Sequence, residues 1–240
     1  MTTPLFLDSP AQRSMQAVVL SADPQGIVLD QTVFYARSGG QPGDRGRLSW
    51  AGGGIAIVDT LKGEGGAIVH VPEPGAVLPG MGEGVTGELD WAYRHRLMRM
   101  HTALHLLCAA LPGIAVTGGQ IGADKSRLDF DFSGHDVPDR EALEAHLNAL
   151  AAGDHPVSTQ WVEESLLDTN PELVRTLSVK PPRGTGRLRL VRIGGEAELV
   201  DLQPCGGTHV ARTGEIGGLR ITKIENKGRQ NRRMVLEFAA

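Results

Sequence analysis

Two short stretches hold the residues whose types and spacing could do chemistry. "HTALH" places His101 and His105 four positions apart, and "CGGTH" does the same for Cys205 and His209. On a helix, positions i and i+4 lie one above the other on one face, so both imidazoles of the first pair can reach one ion. The second pair sits in a glycine-rich turn after a strand-like run, where Gly206 and Gly207 let the backbone fold tightly enough for both side chains to converge. The histidine pair alone arises readily by chance, and the cysteine pair alone also reads as a turn. Together they supply three imidazoles and one thiolate, a closed N/S set suited to one tetrahedral Zn2+.

Cys108 competes for the same role, since it shares a helix face with His101 and His105. Seven positions from His101 is roughly 10.5 Å along a helix at about 1.5 Å per residue, too far for one ion with bonds of about 2.0–2.3 Å. Cys108 therefore reads as a small buried hydrophobe. The helix pair lacks the glutamate of HExxH, so no metalloprotease base is present there. The two pairs lie about a hundred residues apart, beyond the short span of a zinc finger. A purely structural zinc remains compatible with four protein ligands, which leave no open position.

Two kinds of element must position these residues. From about Met15 to Asp90, seven runs with β-type character ("MQAVVLSA", "GIVLD", "TVFYA", "RGRLSW", "IAIVDT", "AIVHV", "VTGELD") are separated by tight-turn residues. This spacing predicts a small barrel. At Trp91 the pattern changes to "WAYRHRLMRMHTALHLLCAAL", with Leu97, Met100, Leu104, Leu107 and Leu111 at helical spacing before Pro112 and Gly113. A second helix is predicted in "PDREALEAHLNALAAG", with Asp136 near its start and Pro138 in its first turn, and a helix broken at Pro171 spans Ser165 to Leu177. "SRLDFDF", "VSTQWVEE", "RLRLVRI", "AELVDL", "LRITKIEN" and "RRMVLEF" read as strands. The expected fold class is α+β: a small N-terminal β-barrel over residues 1–90, then a two-layer domain of helices on a largely antiparallel sheet over 91–240.

The bulk numbers set bounds. The 240 residues are 40% hydrophobic and 22% charged, ordinary for a soluble globular chain. The 32 glycines and 14 prolines, against three Trp, two Tyr and five Phe, point to many turns. A net charge of −4 argues against nucleic-acid binding by overall charge while permitting a local basic patch. Two cysteines, no leader-type segment and no long apolar run lead to the expectation of a soluble cytoplasmic protein with no membrane and no DNA partner.

"HTALHLLCAAL" with "QPCGGTHVARTGEIG" resembles the editing domain of alanyl-tRNA synthetases and of their free-standing relatives, the AlaX family. "YARSGGQPGDRG" is similar to the family's glycine-rich motif, with Ser38 where a third glycine is more usual, and "KGRQNRRMVLEF" is similar to its C-terminal end. The resemblance runs in order from about Phe34 to Phe238. It implies the long form, with a zinc-binding tRNA-editing domain behind the barrel: a trans-acting, zinc-dependent hydrolase of the ester in Ser-tRNA(Ala), with Gly-tRNA(Ala) as a second substrate. The chain is too short to hold an aminoacylation domain as well, and "SGGQPGDRG" lacks the Gly-Lys-Ser/Thr ending of a P-loop.

The same resemblance makes His101, His105, Cys205 and His209 the zinc ligands. It places Gln120, in "TGGQIG", near the editing pocket, where it contacts the aminoacyl group or a water, or is only a solvated loop amide. Thr208 is the candidate to contact the serine hydroxyl, with a turn-holding role as the alternative, and Thr102 ranks third. Gly39, Gly40 and Gln41 form either a plain tight loop or a loop over the editing site. Arg94, Arg96 and Arg99, with Lys223, Lys227, Arg229, Arg232 and Arg233, are expected to neutralise phosphates of the tRNA(Ala) acceptor end, although a solvated charged face is the usual state of any one of them. A non-catalytic tRNA-binding module with a structural zinc, or a deacylase of different amino acid specificity, are the competing classes.

Overall fold

The computed structural model describes residues 1–177, 184 and 186–239. The chain divides into two compact units, Met1–Leu97 and Met98–Ala240. It is mixed α and β, as expected, with one closed barrel, further antiparallel sheets and few helices. Among the described residues no helix is long and apolar enough to cross a membrane.

In the first unit, six strands close a barrel: β1 (Ser14–Asp23), β2 (Gly26–Leu29), β3 (Gly46–Trp50), β4 (Gly53–Lys62), β5 (Ile68–Pro72) and β6 (Gly84–Leu89), in the order β1-β2-β5-β4-β3-β6. Alternation along β1 turns Met15, Ala17 and Val19 inward, where they meet Ile27, Leu29, Leu48, Ile55, Ile57 and Val85. Closure leaves no barrel edge exposed.

The expected strand "TVFYA" is one only at Thr32, whose short strand Gln31–Thr32 pairs in parallel with Thr3–Pro4 outside the barrel. Val33, Phe34, Tyr35 and Ala36 are all buried, but the backbone N–H groups of the first three donate to Met15 Sδ (3.2 Å), Thr32 Oγ1 (3.0 Å) and Asp44 Oδ2 (2.6 Å). Side chains satisfy this segment, so no ladder forms.

The second unit contains most of α1 (Trp91–Ala110), a helix free of glycine and proline that begins in the first unit. A four-stranded antiparallel sheet is built from β7 (Ala115–Gln120), β8 (Lys125–Asp131), β12 (Leu219–Asn226) and β13 (Asn231–Phe238), in the order β12-β13-β8-β7. A three-stranded sheet runs β9 (Val157–Glu163), β10 (Arg187–Ile193), β11 (Asp201–Pro204).

Helix α2 (Arg140–Ala152) starts at Asp139, whose side chain accepts from the Ala142 N–H, rather than at Asp136. Asn148 exchanges two 2.9 Å hydrogen bonds with the Leu219 backbone, and Glu144 accepts from the Ile221 N–H, so α2 covers the edge strand β12. The broken helix becomes α3 (Leu166–Thr169) and a 3-10 turn at Pro171–Leu173. The expected strand "AELVDL" starts only at Asp201 and ends at Pro204, one residue before Cys205.

Candidate metal centre

Helix α1 carries His101 and His105 on one face, both nearly buried, with ring centroids 5.4 Å apart. The other half comes from the end of β11. The Cys205 N–H donates to the Arg189 carbonyl, extending the ladder by one residue. Buried Arg189 then donates from Nη1 to the Cys205 and Gly207 carbonyls at 2.8 and 3.0 Å, tying the turn to β10. The turn delivers His209 with its ring 4.3 Å from that of His101 and 4.6 Å from that of His105.

All four ligand atoms lie within 4.8 Å of one another. Cys205 Sγ is 3.5 Å from His101 Nε2 and 3.4 Å from His209 Nε2. A tetrahedral ion with bonds of about 2.1 and 2.3 Å would hold N and S about 3.6 Å apart. The donor set and its spacing therefore fit Zn2+, and the group can hold one metal ion.

Neighbouring side chains set which ring nitrogen faces the cluster. The buried Thr102 hydroxyl donates to the Met98 carbonyl (3.0 Å), so its oxygen accepts from the Val210 N–H (3.3 Å) and from His209 Nδ1 (3.2 Å). That contact puts the His209 proton on Nδ1 and leaves Nε2 free to ligate. His105 Nδ1 makes the equivalent contact with Asp201 Oδ2 at 2.9 Å.

The charges of the metal-free cluster follow. Burial alone lowers the His105 imidazole, but its hydrogen bonds to Asp201 and Cys205 and their negative charges outweigh burial and raise it to about 10. His209 is pushed well below the usual imidazole range, by burial first and then by His101. Burial raises the Cys205 thiol, yet the charges of His101 and His209 bring it well below its ordinary value. That direction favours the thiolate, the form that binds metal. The Gly207 N–H, 3.4 Å from Sγ, adds a donor to it. Cys108 has the opposite environment: burial pushes its thiol up to about 12, and it stands outside the four-residue group.

The other expected residues fall into different places. Thr102 is fully buried with its hydroxyl occupied, so it positions His209 and presents nothing to a substrate. Thr208 is also fully buried, and its hydroxyl has no accessible surface with which to meet a serine side chain. Cys205 is half-buried, and Gly206 beside it is exposed, with open space where a Cβ would stand. Gln120 is exposed at the end of β7, on a strand and not a loop, and accepts from Arg127 Nε at 3.3 Å.

Arg99 donates twice to the Ile216 carbonyl and lies 4.0 Å from the Phe238 ring centroid. Arg233 forks onto Asp129 at 2.7 and 2.8 Å. Because neighbours in a strand point to opposite faces, Arg232 and Arg233 do not form one patch. Lys227 and Arg229, in the turn between β12 and β13, are exposed, with Lys227 3.8 Å from Glu225.

In the barrel unit, Arg94 is 0% exposed. It donates Nε to both oxygens of Asp44 (2.9 and 2.8 Å), Nη2 to Asp44 and to the Val33 carbonyl (2.7 Å), and Nη1 to the Pro10 carbonyl (3.0 Å). A guanidinium so enclosed cannot meet a phosphate, which corrects its expected place in the RNA grip. Gly39 and Gly40 have φ of +56° and +82° and are bracketed by the mutual Ser38–Gln41 backbone bonds. Two successive positive φ values mark a tight reverse turn that favours glycine. Gln41 is buried.

Asp201, Gln203 and Arg189 were not singled out by sequence. A signal for the first two existed: Asp201, Gln203 and Cys205 alternate along one strand, so they share a face.

The family of threonyl and alanyl tRNA synthetase second additional domains matches residues 188–235, which include Cys205 and His209. The family of class II (A) tRNA synthetases matches residues 5–93. Over 98% of each chain, the protein is 36% identical to the alanyl-tRNA editing protein AlaX-M of Methanosarcina acetivorans. It is 35% identical to that of Methanosarcina mazei over 95% of this chain and 93% of the relative. It is also 38% identical to the alanine–tRNA ligase of Pyrobaculum arsenaticum, over 93% of this chain but 25% of the ligase. The chain therefore belongs to the AlaX-M family of alanyl-tRNA editing proteins.

Proposed function

We propose that the protein is a trans-editing hydrolase that cleaves the aminoacyl ester of Ser-tRNA(Ala), with Gly-tRNA(Ala) as a second substrate, working in the cytoplasm, where charged tRNA is used. The observation that supports this most is the convergence of His101, His105, Cys205 and His209 on one half-buried point, in a chain of the editing family. Those four residues would hold Zn2+, which when bound supplies a Lewis acid for the ester carbonyl or for water. The protein's own contribution is to keep three imidazole nitrogens and one thiolate turned inward, through Thr102, Asp201 and the Arg189-braced turn. The exposed backbone at Gly206 leaves the sulfur side of the cluster open to an aminoacyl end.

Selectivity follows from chemistry. A synthesis pocket for alanine cannot strongly reject serine, which adds only a hydroxyl, whereas a second site that hydrogen-bonds that hydroxyl rejects alanine. Comparing hydrolysis of Ser-, Gly- and Ala-charged tRNA(Ala) tests the reading. Serine should be released fastest and alanine least. Binding without release of any amino acid would leave a tRNA-binding module with a structural zinc, and equal release of all three would refute the specificity.

The tRNA grip is proposed for the exposed residues of the β12–β13 turn. Replacing Lys227 and Arg229 together by alanine should weaken tRNA binding and reduce the slope of log affinity against log salt by roughly two. A slope equal to the parent's removes this turn from the interface.

A further inference from the structure

Asp201 is a buried carboxylate beside the cluster, with its side chain wholly out of solvent. One oxygen, Oδ2, accepts from both His105 Nδ1 (2.9 Å) and Gln203 Nε2 (2.8 Å), while Oδ1 is buried with no hydrogen-bond partner among the described residues. A buried carboxylate oxygen left without a partner is costly, so this side chain is explained by what its other oxygen holds. Cys205, two residues beyond Gln203, belongs to the same four-residue group as His105.

We propose that Asp201 is a positioning residue of the metal centre, holding His105 by its Nδ1–H so that Nε2 faces the ion. This rests on the reading that His101, His105, Cys205 and His209 hold Zn2+. Asp201 acts through His105 and touches no substrate, and Gln203 keeps the carboxylate turned toward the ring. The alternation of Asp201, Gln203 and Cys205 along β11 explains how one short strand delivers a ligand, the carboxylate that orients a second ligand, and that carboxylate's brace together.

The test is the zinc dissociation constant, measured by competition with a chromogenic chelator, for the parent, Asp201→Asn, Asp201→Ala and Gln203→Ala, with circular dichroism of each metal-free chain as the control for folding. Asparagine keeps the size and one acceptor but removes the charge, so it remains informative if the alanine variant fails to fold. The expected result is zinc binding at one ion per parent chain, weakened about tenfold in Asp201→Asn and about 10–100-fold in Asp201→Ala, with a smaller loss in Gln203→Ala. In Co2+-loaded protein the visible ligand-field bands should shift in Asp201→Asn, which a remote packing role would not produce. If Asp201 instead only keeps a proton on His105, its removal would free that nitrogen and tighten zinc binding. Unchanged or tighter binding in both Asp201 variants overturns the proposal while leaving the four-ligand reading intact. A parent chain that binds no zinc overturns the four-ligand reading, and this proposal with it.

Discussion

Cys205→Ala and His101→Ala should each yield a protein that carries far less zinc and releases no serine from Ser-tRNA(Ala). Structural zinc sites contribute roughly 10–16 kcal/mol of apparent binding energy. Shared over four ligands, that is roughly 3 kcal/mol each, or at least about a hundredfold in Kd. The cysteine should cost more than the histidine, because Cys205 is the anion of the set and the hydrogen-bond partner of two of its rings. Part of the loss should appear as stability, since the ion would tie α1 to the turn after β11 and neither element reaches the other's ligands through its own backbone. Metal content after gel filtration, chelator competition and a single-turnover deacylation assay check the three consequences separately. A His101→Ala chain that is free of metal yet hydrolyses Ser-tRNA(Ala) at the parent rate would show that the reaction does not depend on zinc.

The cluster of His101, His105, Cys205 and His209 was legible in the sequence because metal chemistry admits few residue types and an uninterrupted helix fixes where i and i+4 point. Barrel strands were legible for a similar reason: alternation such as Met15, Ala17, Val19 is a local signal. What was missed depends on partners far along the chain. "TVFYA" has strand composition, yet the N–H groups of Val33 and Tyr35 bond to the side chains of Met15 and Asp44, 18 and 9 residues away, and composition alone does not reveal that. Thr102 and Thr208 looked like polar groups beside ligands, whereas both are buried and Thr102 orients His209 from behind. Asp201 and Gln203 could have been found by extending alternation back from Cys205. Arg99 and Arg233 were counted as free cations, and their occupation by Ile216 and Asp129 is a tertiary fact.

Arg94 gives the sharpest contrast between the two readings, and replacing it by methionine should destabilise the barrel unit without a specific effect on tRNA binding. The change leaves Asp44 buried beside no guanidinium, with its carboxyl already raised by burial and only partly pulled back by Arg94. It also strips donors from the Val33 and Pro10 carbonyls. Removing one partner of a buried pair costs about 3–5 kcal/mol, a fall in Tm on the order of 10 °C or more for a unit of this size. Adding Asp44→Asn should restore part of the loss, because the amide carries no charge and can still accept from the Tyr35 N–H that now reaches Asp44 at 2.6 Å. Thermal unfolding of the single and double variants decides the energetic claim, and tRNA affinity below the melting range decides the functional one. If Arg94→Met melted with the parent but bound tRNA more weakly with a shallower salt slope, Arg94 would return to the RNA grip as a surface cation. The five hydrogen bonds that enclose its guanidinium, in a side chain with no exposed surface, argue that stability moves and affinity does not.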